Sequence, residues 1–351
     1  MVPLLALAHP AASFPPPLAS GEMGPADGSA PSLRRTVWAA PAVARAPAPA
    51  PGEKPAAGGA AALEPGVHFR VVRREPGAER TDLPVWAPLL PGLVPFDDAA
   101  AGPTERADVP GVPGAFVLSN VLTEPECHAL AQLSEAMGYT MDAPVSLGRN
   151  IRRNENCVII ADDSMWKPVW RRIAAHMPPR VAGGGPVGLN QRWRLYKYGP
   201  NDTFKMHTDG AWPGSALDDQ GELGGSAPAA WFVRVCARGR PICRNPARAL
   251  QAICRLTPRV CAPVQDFFGD RYSQLTLLLY LDDDYEGGET TFFIAGELVS
   301  VRVPKGGALC FFHGEHELSP LHEGSIVTRG CKRIVRSDVL YTLPGAQCRQ
   351  R

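Results

Sequence analysis

Phe204-Lys205-Met206-His207-Thr208-Asp209-Gly210 is the stretch that decides how this chain is read. On an extended strand successive side chains alternate faces, so His207 and Asp209 project to the same side. An imidazole beside a carboxylate supplies two of the three ligands of the 2-His-1-carboxylate triad, which holds a non-haem Fe(II) and leaves positions open. The third must be a histidine further along; His322 supplies it, and His313 and His316 compete for the place. By itself an H-x-D pair is weak, because a chain with 8 His and 35 acidic residues produces one by chance.

The sequence beyond it carries more. Tyr272 to Leu281 is an apolar run with the length and composition of a buried strand. Asp282 to Phe293 reads as a turn opening into another strand, and Val299 to Phe312 as two short strands about a Pro-Gly turn. Leu321-His322-Glu323-Gly324 comes next, and Lys332 stands ten residues past His322.

Taken together, His207-Thr208-Asp209, Glu286-Gly287-Gly288-Glu289-Thr290, Pro304-Lys305-Gly306 with Ala308-Leu309 and Phe311-Phe312, and Leu321-His322-Glu323-Gly324 followed by Lys332 resemble the prolyl 4-hydroxylase-like group of Fe(II)/2-oxoglutarate dioxygenases. The resemblance spans about residues 115–343. It implies a mainly β domain with flanking helices, the double-stranded β-helix of jelly-roll or cupin-like proteins. It also implies Fe(II) on His207, Asp209 and His322, with His313 in reserve. 2-Oxoglutarate and O2 would take the remaining metal positions, with ascorbate as reductant. Lys332 would pair with the distal carboxylate of 2-oxoglutarate, and Tyr198 would hydrogen-bond it or serve only as a core tyrosine. Arg336 is the rival for the carboxylate. At ~3.3 Å per residue it stands about 13 Å from Lys332, so one carboxylate would not use both. The implied reaction converts 2-oxoglutarate to succinate and CO2 while a substrate C–H is hydroxylated, by family default on peptidyl proline. A free amino acid, another side chain or a small metabolite stays open, since a fold does not transfer a substrate. Asp209 favours hydroxylation over halogenation, because related halogenases lack that carboxylate. The alternative is a non-catalytic metal-binding cupin-like protein, or an inactive chain disrupted by its insertion.

In chain order, residues 1–65 are Ala- and Pro-rich and are expected to be disordered. Val2 to Leu7 is too short, and too lacking in preceding charge, for a secretory signal. Arg34, Arg35 and Arg45 leave an organelle transit peptide open beside an untargeted tail. Val67-His68-Phe69-Arg70-Val71-Val72 could be an edge strand, but the Pro-rich remainder makes 66–113 read as an extended, poorly packed connection; the folded domain is expected from 114 to 343 with a tail at 344–351. Thr123-Glu124-Pro125-Glu126 has a capping-box pattern ahead of one helix, and a second is expected from about Asp163 to His176.

An insertion at about 225–266 holds seven Arg, no Lys and four of the nine Cys. Asp209 and His322 are 113 residues apart, about 70 without it. Three readings stand: a substrate lid, a basic patch for an acidic partner, or translated non-coding sequence, which the composition favours. Its cysteines lack the close pairs of a zinc site. The scattered, odd-numbered cysteines give no disulfide framework, so a reducing, intracellular compartment is the default. A net charge of +1 gives no reason to expect nucleic acid, and no run reaches the roughly 20 apolar residues of a membrane span. Oligomeric state is not legible.

Overall fold

Residues 34–41, 63–143, 150–224 and 268–343 are described by the computed structural model. Among them, β-branched and aromatic residues at period two form the strands that matter. The first part contains β1 (Arg35–Ala39), β2 (Phe69–Glu75), β3 (Leu83–Pro88), β4 (Glu105–Asp108) and β5 (Phe116–Ser119). After helix α1 (Glu124–Met137) come β6 (Arg152–Arg153), β7 (Glu155–Ile160), helix α2 (Asp163–Ile173), β8 (Pro186–Leu189), β9 (Arg192–Tyr198) and β10 (Thr203–His207). The short β11 (Ala216–Leu217) and β12 (Leu223–Gly224) pair with each other. Then follow β13 (Arg271–Tyr280), β14 (Glu286–Gly287), β15 (Thr290–Ile294), β16 (Glu297–Arg302) and β17 (Ala308–Phe312). The last are β18 (Leu321–Gly324), β19 (Val327–Arg329) and β20 (Lys332–Thr342).

Two sheets carry the fold. The larger contains the order β9-β20-β13-β17, and the smaller contains β10-β18-β15-β16. Every pairing inside these two sets is antiparallel. From β9 to β20 the chain passes back and forth between the sheets, which is the winding of a double-stranded β-helix.

Alternation along β13 shows how the layers close. Leu275, Leu277 and Leu279 point outward into a core shared with Leu130 and Leu133 of α1 and Met165, Val169 and Ile173 of α2. Leu278 and Tyr280 point inward, into a second core with Phe292, Val299 and Val301 of the smaller sheet. A one-residue slip would exchange the two faces, so this pattern fixes the register that positions the site.

Both helices begin where the sequence expects them. Thr123 and Glu126 form the reciprocal capping box of α1, and Asp162 caps α2. α2 ends at Ile173 and a 3-10 turn carries the chain to His176. Glu126 does more than cap: fully buried, it accepts both prongs of the Arg172 fork at 2.7 and 2.8 Å and the Asp97 amide at 2.9 Å. That ties α1, α2 and the preceding loop together.

Two expectations are corrected. Residues 66–113 are not a loose connection. β2 and β3 form a hairpin, and β3 extends the larger sheet by pairing in parallel with β7. Phe69, Leu83, Val85 and Ala87 are buried there, and Glu75 meets Arg192 in a buried two-pronged pair at 3.0 and 2.6 Å. Within 1–65, Arg35–Ala39 is ordered as β1, parallel to β16 at the edge of the smaller sheet. The insertion at 225–266, the tail at 344–351, and residues 1–33 and 42–62 of the Ala/Pro-rich region lie outside the described residues. Cys127, Cys157, Cys310 and Cys331 are free thiols. Among the described residues no helix is long and apolar enough to cross a membrane.

Candidate metal centre

β10 and β18 are neighbours in the smaller sheet, and their register sets His207 directly opposite His322. Asp209 follows two residues after His207, just past the strand end. The ligand atoms of His207, Asp209 and His322 all lie within 4.8 Å of one another, and all three side chains are buried. His207 Nε2 is 3.7 Å from Asp209 Oδ1, and His322 Nε2 is 3.8 Å from Oδ2. Among the described residues no other cluster of this kind forms.

The backbone selects the tautomer of both rings. His207 donates from Nδ1 to the Lys205 carbonyl at 2.7 Å, and His322 from Nδ1 to the Pro320 carbonyl at 3.1 Å. A carbonyl can only accept, so each Nδ1 carries a proton and each Nε2 is the ring atom turned toward Asp209. Burial, and then the neighbouring His207, push the His322 imidazolium down to about 3, which leaves a neutral ligand at pH 7. Phe204 stacks on His207 with centroids 3.5 Å apart, and Phe311 packs against His322 at 4.7 Å. Two imidazoles and one carboxylate on one face suit a divalent ion with open positions, the facial arrangement of non-haem Fe(II).

Asp209 is held from two further sides. Arg336 donates from Nη1 to Oδ1 at 2.9 Å, and Thr276 donates from Oγ1 to Oδ2 at 2.8 Å. Burial would raise this carboxyl, but Arg336 and the two histidines hold it well below the usual range. Arg336 also reaches the Gly210 carbonyl at 3.3 Å and Asp338 Oδ1 at 3.4 Å. Its fork is therefore spent on the carboxylate of the triad and on Asp338.

Lys332 has different surroundings. Its Nζ donates to the Gly288 carbonyl at 2.6 Å and lies 5.2, 5.6 and 6.0 Å from the rings of Tyr280, Tyr198 and Tyr285. Burial pushes the ammonium from 10.5 down to about 7, with Glu289 pulling the other way. Tyr198 faces Lys332 directly across β9 and β20. An ammonium has three protons to donate, and one hydrogen bond does not satisfy them.

The competing histidines stay apart from the triad. His313 is buried with Nε2 against Ser273 Oγ at 2.8 Å, and burial takes it down to about 4. His316 stacks on Phe312 at 3.8 Å and accepts the Leu318 amide.

No family model and no curated relative matches the chain. Solved structures that resemble it include the viral collagen prolyl hydroxylase of Paramecium Bursaria Chlorella virus-1 in its 2OG complex, at 14% identity, with 65% of this chain and 96% of that one covered and a TM-score of 0.37. A Pseudomonas putida prolyl-4-hydroxylase matches at 14% identity over 64% and 91% of the two chains, TM-score 0.36. HygX from Streptomyces hygroscopicus, with nickel and 2-oxoglutarate bound, matches at 14% identity over 68% and 86%, TM-score 0.34. The strand order described above is what carries the fold.

Several residues of the site escape a reading of the sequence alone. Thr276 and Asp338 meet the triad or its arginine only through the sheet register. Arg194 could have been found, because Arg194, Tyr196 and Tyr198 alternate onto one face of β9. Arg152 has no local signal and reaches the site because β6 pairs with β10.

Proposed function

We propose that the chain is an Fe(II)- and 2-oxoglutarate-dependent dioxygenase that hydroxylates a substrate C–H and releases succinate and CO2. The juxtaposition of His207, Asp209 and His322, with both Nδ1 atoms tied to backbone carbonyls, carries this reading. When bound, the ferrous ion supplies oxygen activation coupled to decarboxylation of the 2-oxo acid. His207, Asp209 and His322 hold it and keep one face open. Lys332 pairs with the distal carboxylate of 2-oxoglutarate, and the rings of Tyr198, Tyr280 and Tyr285 keep water from that ion pair. Tyr198, beside the ammonium, is placed to hydrogen-bond the same carboxylate. Arg336 acts as a positioning residue for Asp209 rather than as the cosubstrate anchor. Peptidyl proline is the substrate that the sequence resemblance implies, with ascorbate as reductant.

A non-catalytic metal binder is the competing reading. It gives no reason to bury an ammonium with a single hydrogen bond, which costs stability unless an anion arrives. Succinate formation from 2-oxoglutarate with Fe(II) and ascorbate separates the two. The full chain should produce succinate, and His322→Ala should lower the rate by about 100-fold or more, as for loss of an interaction central to the chemistry. Equal succinate from both proteins would refute the reading.

A further inference from the structure

Two guanidinium groups flank the triad without serving it. Arg152 lies over the Phe204 ring at 5.1 Å, and Phe204 is the ring stacked on His207. It also lies 4.5 Å from the Tyr196 ring. Its Nε donates to Asn154 at 2.7 Å, whereas its Nη2 is buried with no hydrogen-bond partner, and no described carboxylate pairs with it. Arg194 stands on the other side, directly across β9 and β20 from Arg336, the partner of Asp209. Its nearest carboxylate oxygen, Asp338 Oδ2, is 3.8 Å away, and its guanidinium lies 4.8 Å from the Trp212 ring. Tyr196 sits between them. Residues two apart on a strand are about 6.6–7 Å apart on one face, so Arg194 and Tyr196 look the same way.

The charges nearby are already committed. Arg192, the next arginine along β9, is neutralised by Glu75, and Arg336 is shared by Asp209 and Asp338. Arg152 and Arg194 keep their charge without a hydrogen-bonded carboxylate. Arg152 lies over the Tyr196 ring and Arg194 shares its face of β9, so both positive charges converge on that phenol; burial would raise it, yet Arg194, Arg152 and Arg336 draw it down to about 8. An iron(II) ion and a dianionic 2-oxoglutarate cancel each other, so their arrival would not discharge it. Guanidinium forks match planar oxyanions, and a pair beside a dry site selects for one.

We propose that Arg152 and Arg194 form a receptor for an oxyanion carried by the substrate, a carboxylate or a phosphate, and thereby orient it at the metal centre. The word substrate rests on the dioxygenase reading; the anion site itself does not. It narrows the substrate to molecules bearing an acidic group close to the carbon that reacts, which an internal peptidyl proline does not itself carry, and so favours the free amino acid or acidic small metabolite over that default.

The test uses the full chain loaded with Co(II) and saturating 2-oxoglutarate, titrated calorimetrically with acetate in one arm and inorganic phosphate in the other. The Co(II) absorption bands report that the triad has formed in each variant. One anion should bind with a Kd on the order of 1 mM, and Arg152→Gln and Arg194→Gln should each weaken it by about tenfold. Arg152→Lys, which keeps the charge and loses the fork, should fall in between. The tighter arm identifies carboxylate or phosphate. Absence of binding up to about 50 mM, a Kd already too weak for a built receptor, would overturn the proposal, as would binding that both Gln variants retain. In either case the two guanidiniums serve only to pack on Tyr196, Phe204 and Trp212. Should 2-oxoglutarate itself fail to bind while the arginine-dependent anion site persists, the receptor stands and the cosubstrate reading falls.

Discussion

Arg336 and Asp209, 127 residues apart in the chain, meet through a 2.9 Å bond from Nη1 to Oδ1. The same guanidinium reaches Asp338 at 3.4 Å, so one cation stands between two buried carboxylates. Removing it leaves Asp209 with the Thr276 hydroxyl and the two histidines, and Asp338 with Arg194 at 3.8 Å. Arg336→Ala should cost about 3–5 kcal/mol, the range for breaking a buried ion pair from one side. The pH dependence has a definite sign. The Asp209 carboxyl is depressed in the folded state, so its contribution is present above the unfolded carboxylate range and is lost as pH falls through its folded value. Without Arg336 that loss begins at higher pH, and urea unfolding followed from pH 7 to 3 should show the acid limb displaced upward. An unchanged acid limb would mean that the pair contributes nothing.

Lys332 should bind its carboxylate together with a proton. The free ammonium sits at about 7 through burial, so at pH 8 most molecules carry a neutral amine. An arriving carboxylate favours the charged form, and 2-oxoglutarate binding at pH 8 should take up a proton that binding at pH 6 does not. Titration calorimetry in two buffers of different ionisation enthalpy measures the uptake directly. Lys332→Met should abolish it and weaken 2-oxoglutarate by roughly 10- to 150-fold, the worth of a hydrogen bond to a charged group.

The stability of the ligand-free protein follows the same lysine with the opposite sign. Its unfolded value of 10.5 lies above its folded value of about 7. Between those two pH values the unfolded chain holds more protons, so stability rises with pH. Lys332→Met should flatten that part of the curve in urea melts at pH 7.5 and 9.5. A wild type and variant with the same slope would place the lysine in water.

Gly287 is a backbone requirement of the site. Its φ is +69°, and a Cβ there would lie 2.3 Å from the Ile326 carbonyl oxygen on the segment that leads into β19. Gly288, its neighbour, presents the carbonyl that holds Lys332. Gly287→Ala should cost about 2 kcal/mol or more, combining left-handed strain with a displaced strand pair, and should loosen 2-oxoglutarate as well. Thermal melts and a 2-oxoglutarate titration on one sample read both effects.

The candidate metal ligands are legible because their pattern is local: His207 and Asp209 share a strand face, and His322 carries its own neighbours Leu321, Glu323 and Gly324. Period two alone puts Lys332 and Arg336 on one face of β20 and Arg333 on the other. Lys332 and Arg336 are buried, and Arg333 turns outward to Glu135 and Asp282. What Arg336 does was not legible, because its partner arrives through tertiary structure. The β2–β3 hairpin was missed because Arg and Pro interrupt its alternation, and the charge that anchors Glu75 sits 117 residues away at Arg192. β1 is a short strand in an Ala- and Pro-rich context, paired with β16 through the backbone and with Arg35 bonded to Ser300. No composition-based reading shows such a pairing.

Anaerobic Fe(II) titration of the purified full chain, with the His207→Ala, Asp209→Ala and His322→Ala variants alongside, tests the triad most directly. The account predicts one tight ferrous site in the wild type, with affinity lowered by at least about 10- to 100-fold in each of the three variants. The same binding curve from all four proteins would contradict it.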